Sequence, residues 1–198
     1  MGDATRREIL LVPHLFRASN IDSAARAAQL LQQAGIEVRL LEQEQMDVIE
    51  TNPVLCGLTR AKADDSAAAG CELVLVLGGD GTFLRAASYA RAQDIPVLGI
   101  NLGHVGFLAE GEASSLEKVV GQVIDRSYRV VERMTLDVSV LGEGGEVLGR
   151  SWALNECSIE NSDRTRVLDA TLEVDFRPVS SFGCDGVLIS TPTGLSLI

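Results

Sequence analysis

The stretch LVLGGDGTFLRAA, residues 75–87, passes from an apolar strand-like run through Gly78, Gly79, Asp80 and Gly81 into a helical pattern. A buried parallel strand that ends in glycines and opens a helix points free backbone N–H groups, and the positive end of the helix dipole, at whatever lies above the strand's C-terminal edge. That arrangement suits an anion, and glycine lets the backbone come close to it. Asp80 is out of place in a pure phosphate cradle, because a carboxylate repels phosphate. It suits the holding of a divalent cation, or acceptance of a proton from a hydroxyl that attacks a phosphoryl group. A plain helix-capping aspartate in a Gly-Asp-Gly turn stays open on these residues alone. Neither the Walker-A pattern with its lysine nor G-x-G-x-x-G is present.

Around this junction the first half of the sequence alternates strand-like and helical patterns. Strands are expected at Glu8–Pro13, Ile36–Leu41, Leu73–Leu77 and Pro96–Ile100. Asn20 is expected to cap a helix with Ile21, Ala24, Ala25, Ala28 and Leu31 on one face, and Gly35 to end it. A second helix is expected from about Phe83 to Ala92. A third, entered through a Ser114-Ser115-Leu116-Glu117 capping box, should run to about Arg126. Residues 42–70 give no firm pattern beyond turns at Asn52-Pro53 and Asp64-Asp65-Ser66. The rhythm predicts an α/β domain with a Rossmann-like parallel sheet. From Tyr128 the pattern becomes strand, turn, strand, with Leu136, Val138 and Val140 alternating against Asp137 and Ser139. Two domains follow: an α/β nucleotide-binding domain at 1–126 and an all-β sandwich domain at 127–198 with one wet face.

At 198 residues and 46% hydrophobic, the protein is long enough to bury a sizeable core without staples. Cys56, Cys71, Cys157 and Cys184 lie far apart and form no metal-ligand spacing, so reduced thiols are expected. A net charge of −11 with scattered basic residues argues against a nucleic-acid partner. The N-terminus lacks the apolar core of a signal peptide and no run reaches membrane length, so a soluble, cytoplasmic protein without a membrane partner is expected. His14 and His104 have no nameable partner and are read as non-catalytic.

Beyond residue 87 three further motifs occur in order: NLGHVGFLAE (101–110), LNECSIE (154–160) and FGCDGVLISTPTG (182–194). Together with GGDGT, which diacylglycerol and sphingosine kinases share, they resemble the NAD kinase family, in its actinobacterial form. The resemblance spans about residues 71–194. It implies transfer of the γ-phosphoryl group of ATP, or of polyphosphate, to the 2′-hydroxyl of the adenosine ribose of NAD. A divalent metal, Mg²⁺ in the first instance, is implied with ATP. It implies Asp80 as the base, with Gly81 meeting the ligand through its backbone and Arg85 facing the phosphates. Asn155 and Glu156 would hydrogen-bond the ribose and adenine side of NAD. Asp185 would meet the nicotinamide end or a neighbouring subunit's site, and Arg166 a cofactor phosphate. No resident metal ligand is assigned, and a homo-oligomer is implied for the full-length protein.

Two departures from the family pattern stand out. After STPTG the family continues S-T-A-Y and completes the second domain, where this sequence reads Leu195-Ser196-Leu197-Ile198. The second domain is therefore expected to be incomplete, the sequence being either a fragment of a longer kinase or a gene product truncated at its C-terminus. Near the N-terminus, His14-Leu15-Phe16-Arg17 stands where the family has a glycine-containing turn. Two other readings stay open: a lipid kinase of the same superfamily, and a nucleotide-binding remnant without catalysis.

Overall fold

The computed structural model describes residues 6–15, 18–42, 49, 51–102, 111–112, 115–163 and 166–197. The protein divides into two compact units, with the division between Val130 and Val131.

The first unit is built on a six-stranded, wholly parallel sheet. Its strands are β1 (Glu8–Pro13), β2 (Glu37–Leu41), β3 (Thr59–Ala61), β4 (Leu73–Leu77), β5 (Val97–Asn101) and β6 (Gly111–Glu112), in the order β3-β2-β1-β4-β5-β6. The apolar runs of β1 and β4 are buried on both faces, as a parallel sheet covered by helices requires. One face packs on α1 (Ala18–Gln33) and α4 (Leu116–Ile124), with Ile9, Leu11, Leu31, Leu75 and Val120 in the core. The other packs on α3 (Asp80–Arg91), with Leu10, Val12, Val74, Val76 and Ala86.

Helix ends show where local chemistry decided the structure and where tertiary contacts overrode it. Gly35 has φ of 76° and closes α1: its N–H donates to Gln32 O, and Ile36 N–H to Leu31 O, both at 3.0 Å. This is the paired bonding of a Schellman turn, with Ile36 buried behind it. Asn20 is not the N-cap. The helix already begins at Ala18, and the buried Asn20 amide donates to His14 O at 2.7 Å, tying the helix to the end of β1. The expected capping box of α4 calls on Ser114. Ser115 is the N-cap and makes no side-chain capping bond, while Glu117 accepts from Arg26 of α1 at 2.7 Å; Ser114 lies outside the described residues. In the stretch without firm pattern, Asn52 caps the single-turn α2 (Pro53–Cys56), accepting from Val54 N–H and Leu55 N–H, and β3 adds an edge strand.

At the edge where the strands begin, Arg7 clamps β1, β4 and α4 together. Its guanidinium donates to the Glu72 carboxylate at 2.6 Å and to the carbonyls of Val123 and Ile124 at 2.8 and 2.7 Å. Arg126 donates to the same carboxylate at 3.0 Å. The hydrogen bond from Arg7 holds the Glu72 carboxyl below its ordinary range against the opposing effect of burial, with Arg126 adding to the lowering.

Among its described residues the second unit is all antiparallel, in three two-stranded sheets. They pair β7 (Leu136–Leu141) with β8 (Val147–Ala153), β9 (Glu156–Glu160) with β12 (Gly186–Ser190), and β10 (Leu168–Val174) with β11 (Arg177–Cys184). The last pair turns through Asp175 and Phe176, whose φ values of 50° and 62° match the right-handed twist of the strands. Leu136 and Val138 are half-buried as the alternation predicts, whereas Val140 is 55% exposed and Leu141 57%. Among the described residues of this unit, Leu154 is the one buried hydrophobic side chain.

Candidate active site

The glycine loop lies where the sheet changes direction. From β1 the backbone proceeds outward to β2 and β3, and from β4 outward to β5 and β6, so the C-terminal ends of β1 and β4 border the topological switch point. The loop is bonded there on both sides: His14 N–H donates to Leu77 O at 2.8 Å, and Gly78 N–H to Ile100 O at 3.0 Å. Gly78 is buried, and a Cβ on it would meet Thr82 Oγ1 at 2.8 Å and His14 Cβ at 3.0 Å. Gly79 and Gly81 are different. Both are exposed, and a Cβ on either would meet nothing within 4 Å.

Gly79, in extended conformation with φ of −89°, is the N-cap of α3. The helix therefore starts at Asp80, three residues before the expected Phe83, because a glycine backbone rather than a capping side group begins it. Asp80 is half-buried in the first turn, where a carboxylate gains from the helix dipole. Gly81 and Arg85 are four residues apart on the helix and share a face, both exposed. Arg85 thus lies in line with Gly81, five positions from Asp80.

His14, for which the sequence suggested no partner, stands beside this loop, with its backbone carbonyl held by Asn20 and its ring Nδ1 3.5 Å from the Asn20 amide. Asn101, 7% exposed, closes the same edge at the end of β5. Neither was legible as a neighbour of the glycines, since both arrive through strand pairing. Most of NLGHVGFLAE, including His104, and also Phe16, Arg17 and Arg164, lie outside the described residues.

The remaining expected residues belong to the second unit. Asn155 joins β8 to β9, and Glu156 opens β9 opposite Ser190. Asn155 Oδ1 is buried and has no hydrogen-bond partner among the described residues. Arg166 and Asp185 come together in a groove of about 420 Å³, also lined by Ser158, Glu160, Asn161 and Gly186. The Arg166 guanidinium, mostly exposed, stands 3.4 Å from Asp163 Oδ2, and its carbonyl accepts from the Asn161 amide at 3.2 Å. The sequence spacing 163–166 carried that ion pair, which balances the arginine locally.

A parallel sheet with an aspartate-bearing glycine loop at its switch point defines a Rossmann-like α/β protein. Residues 9–128 match the model of the ATP-NAD kinase N-terminal domain. The sequence is 64% identical to the NAD kinase of Corynebacterium efficiens, over 98% of its own length and 61% of the relative. It is 66% identical to that of Corynebacterium glutamicum, over 85% and 58%, and 55% identical to that of Rhodococcus opacus, over 98% and 63%. The fold is similar to that in the crystal structure of yeast NADH kinase complexed with NADH, with a TM-score of 0.79 at 20% identity, over 97% of this protein and 60% of that one. The protein belongs to the NAD kinase family. It spans about three-fifths of the length of the curated relatives it matches.

Proposed function

We propose that this protein holds the phosphoryl-transfer site of an enzyme that phosphorylates the 2′-hydroxyl of the adenosine ribose of NAD with ATP, giving NADP and ADP. The observation that carries the reading is the half-buried Asp80 at the start of α3, inside a glycine loop at the switch point, in a member of this family.

In the step itself the ribose O2′ attacks the γ-phosphorus, the bond from that phosphorus to the ADP oxygen breaks, and the proton on O2′ passes to the Asp80 carboxylate. A positioned base contributes roughly 10²- to 10⁴-fold, and charge neutralisation and alignment supply most of the remainder. Gly79 and Gly81 leave room for phosphate oxygens to approach the backbone, and Arg85 offers a cation on the Gly81 face. Asn155 and Glu156 take the ribose and adenine, and Asp185 the nicotinamide end or a neighbouring subunit's site. Arg166 serves a cofactor phosphate only on leaving Asp163, and is the weakest member of the set.

The donor set suits a Mg²⁺ that arrives with ATP. Among the described residues no group of three or more His, Cys, Asp or Glu could hold an ion, and Asp80 supplies one carboxylate beside the loop. Mg²⁺ bound through phosphates and waters asks little more of a protein. With ATP the ion neutralises charge on the transferred group. A cytoplasmic setting and a homo-oligomer of the full-length protein accompany this reading; among the described residues no helix is long and apolar enough to cross a membrane.

The test is incubation of the purified protein with ATP, NAD and Mg²⁺, with polyphosphate and a lipid diol as parallel arms, and measurement of NADP. NADP formation is expected. NAD binding without NADP would favour the remnant reading, and phosphorylation of the diol alone the lipid kinase.

A further inference from the structure

We infer that Thr191 is a positioning residue for NAD: it fixes the Leu154–Asn155 backbone and so sets the direction in which Asn155 and Glu156 meet the nucleotide. This rests on the assignment of those two residues to the ribose and adenine of NAD.

Asn155 belongs to neither β8 nor β9, so no strand ladder holds it. The β9–β12 ladder ends at the pair Glu156 and Ser190, one residue short. What continues the tie is Thr191. It is 1% exposed, and among the described residues of its unit it is the one buried polar residue. Its N–H donates to Asn155 O at 2.8 Å. Its Oγ1 lies 2.6 Å from Leu154 O and 3.0 Å from Asn155 O, and accepts from Gly194 N–H at 3.2 Å. The hydroxyl has a single proton, which the shorter contact assigns to Leu154 O. Ser190 Oγ donates by the same criterion to Thr191 O at 3.0 Å and stands 3.3 Å from Asn155 O.

Gly194 completes the clamp from the other side, since a Cβ there would stand 2.3 Å from Asn155 O. Two consecutive carbonyls are thus held by one buried threonine, with glycine backbone pressed against the second. The Asn155 amide group, whose backbone is pinned in this way, keeps a buried Oδ1 that no group among the described residues satisfies. A buried acceptor left open calls for a donor, and a ribose hydroxyl or the adenine amino group is one.

The variants Thr191→Val, Thr191→Ser and Gly194→Ala in the full-length sequence test this. Calorimetry gives the Kd for NAD, steady-state kinetics give KM for NAD and for ATP with kcat, and thermal unfolding monitors the fold. Thr191→Val, which keeps the shape and removes the hydroxyl, is expected to raise Kd and KM for NAD by about 10- to 100-fold while KM for ATP stays within about threefold, the scale on which a small misplacement acts. Thr191→Ser, which restores the hydroxyl, is expected to recover most of the loss. Gly194→Ala is expected to follow Thr191→Val, and it decides the matter should the valine variant fail to fold. Unchanged NAD affinity in a folded Thr191→Val protein, equal damage in the serine variant, or equal weakening of ATP and NAD overturns the inference. A parent protein that binds no NAD overturns the assignment of Asn155 and Glu156 beneath it.

Discussion

Gly78 and Thr82 are packed so closely that a single added methyl on Gly78 would stand 2.8 Å from the threonine hydroxyl oxygen. Thr82 is itself buried, so the clash has nowhere to relax. Gly78→Ala is expected to cost about 1–3 kcal/mol in urea unfolding. Gly79→Ala and Gly81→Ala, with open space around them, are expected to stay within about 1 kcal/mol of the parent while weakening ATP binding in calorimetry. Unchanged ATP affinity in both of the latter would remove these glycines from the phosphate site.

Asp80→Asn keeps the shape of the first turn of α3 and removes the proposed base. A fall in kcat of about 10²- to 10⁴-fold is expected, with the Kd for NAD held within a few-fold. Loss of the carboxylate from the first turn costs only about 0.3–1 kcal/mol of stability. Turnover near the parent level would rule out proton transfer to this residue.

The Glu72 carboxyl titrates below its unfolded value because Arg7 hydrogen-bonds the ionised form. A depressed folded pKa stabilises the protein fully above the unfolded value, about 4.3 for glutamate, and that stability is lost as pH falls through the folded value. Glu72→Gln is expected to destabilise by roughly 1–3 kcal/mol at pH 7, and the gap between variant and parent should close from about pH 4.5 downward. Urea midpoints at about pH 7, 4.5 and 3 measure it, and a gap that does not change with pH would contradict the assigned role.

Burial pushes the Cys71 thiol up to about 11, and the residue is 4% exposed. Cys56 is exposed. At about pH 8 a thiol reagent should modify Cys56 in the fast phase and Cys71 only after unfolding, since the thiolate is the reactive form. Peptide mapping after timed labelling distinguishes them. Early modification of Cys71 would show an opening of the face of the sheet that covers it.

Much of the first unit could be read from its residues, because unbroken apolar runs such as 73–77 have no other use than a covered parallel strand. The Gly35 helix end and the strand-to-helix junction at 78–80 follow from backbone freedom, which is a local property. Asn20 looked like a capping residue and found another partner, His14 O, that only the folded sheet brings near. The strands β3 and β6 are three and two residues long, too short for any period to show. At the site, the shared face of Gly81 and Arg85 follows from spacing along one helix. The position of His14 beside Gly78 does not, because it depends on β1 pairing with β4, a strand far along the sequence. In the second unit the alternation identified strands correctly but said nothing of what lies over them, so Val140 and Leu141 emerged exposed.

The sheet order also governs how the protein is made. Its first strand, β1, is innermost, with β2 beside it on one side and β4 on the other. A polypeptide leaving the ribosome N-terminus first therefore lays down the middle of its sheet before either flank. Each later strand, to the left and then to the right, joins an edge that is already waiting. The glycine loop is synthesised directly after β4, the strand that closes the second side of β1, so the proposed phosphate site becomes possible at the moment the sheet begins to grow in its other direction.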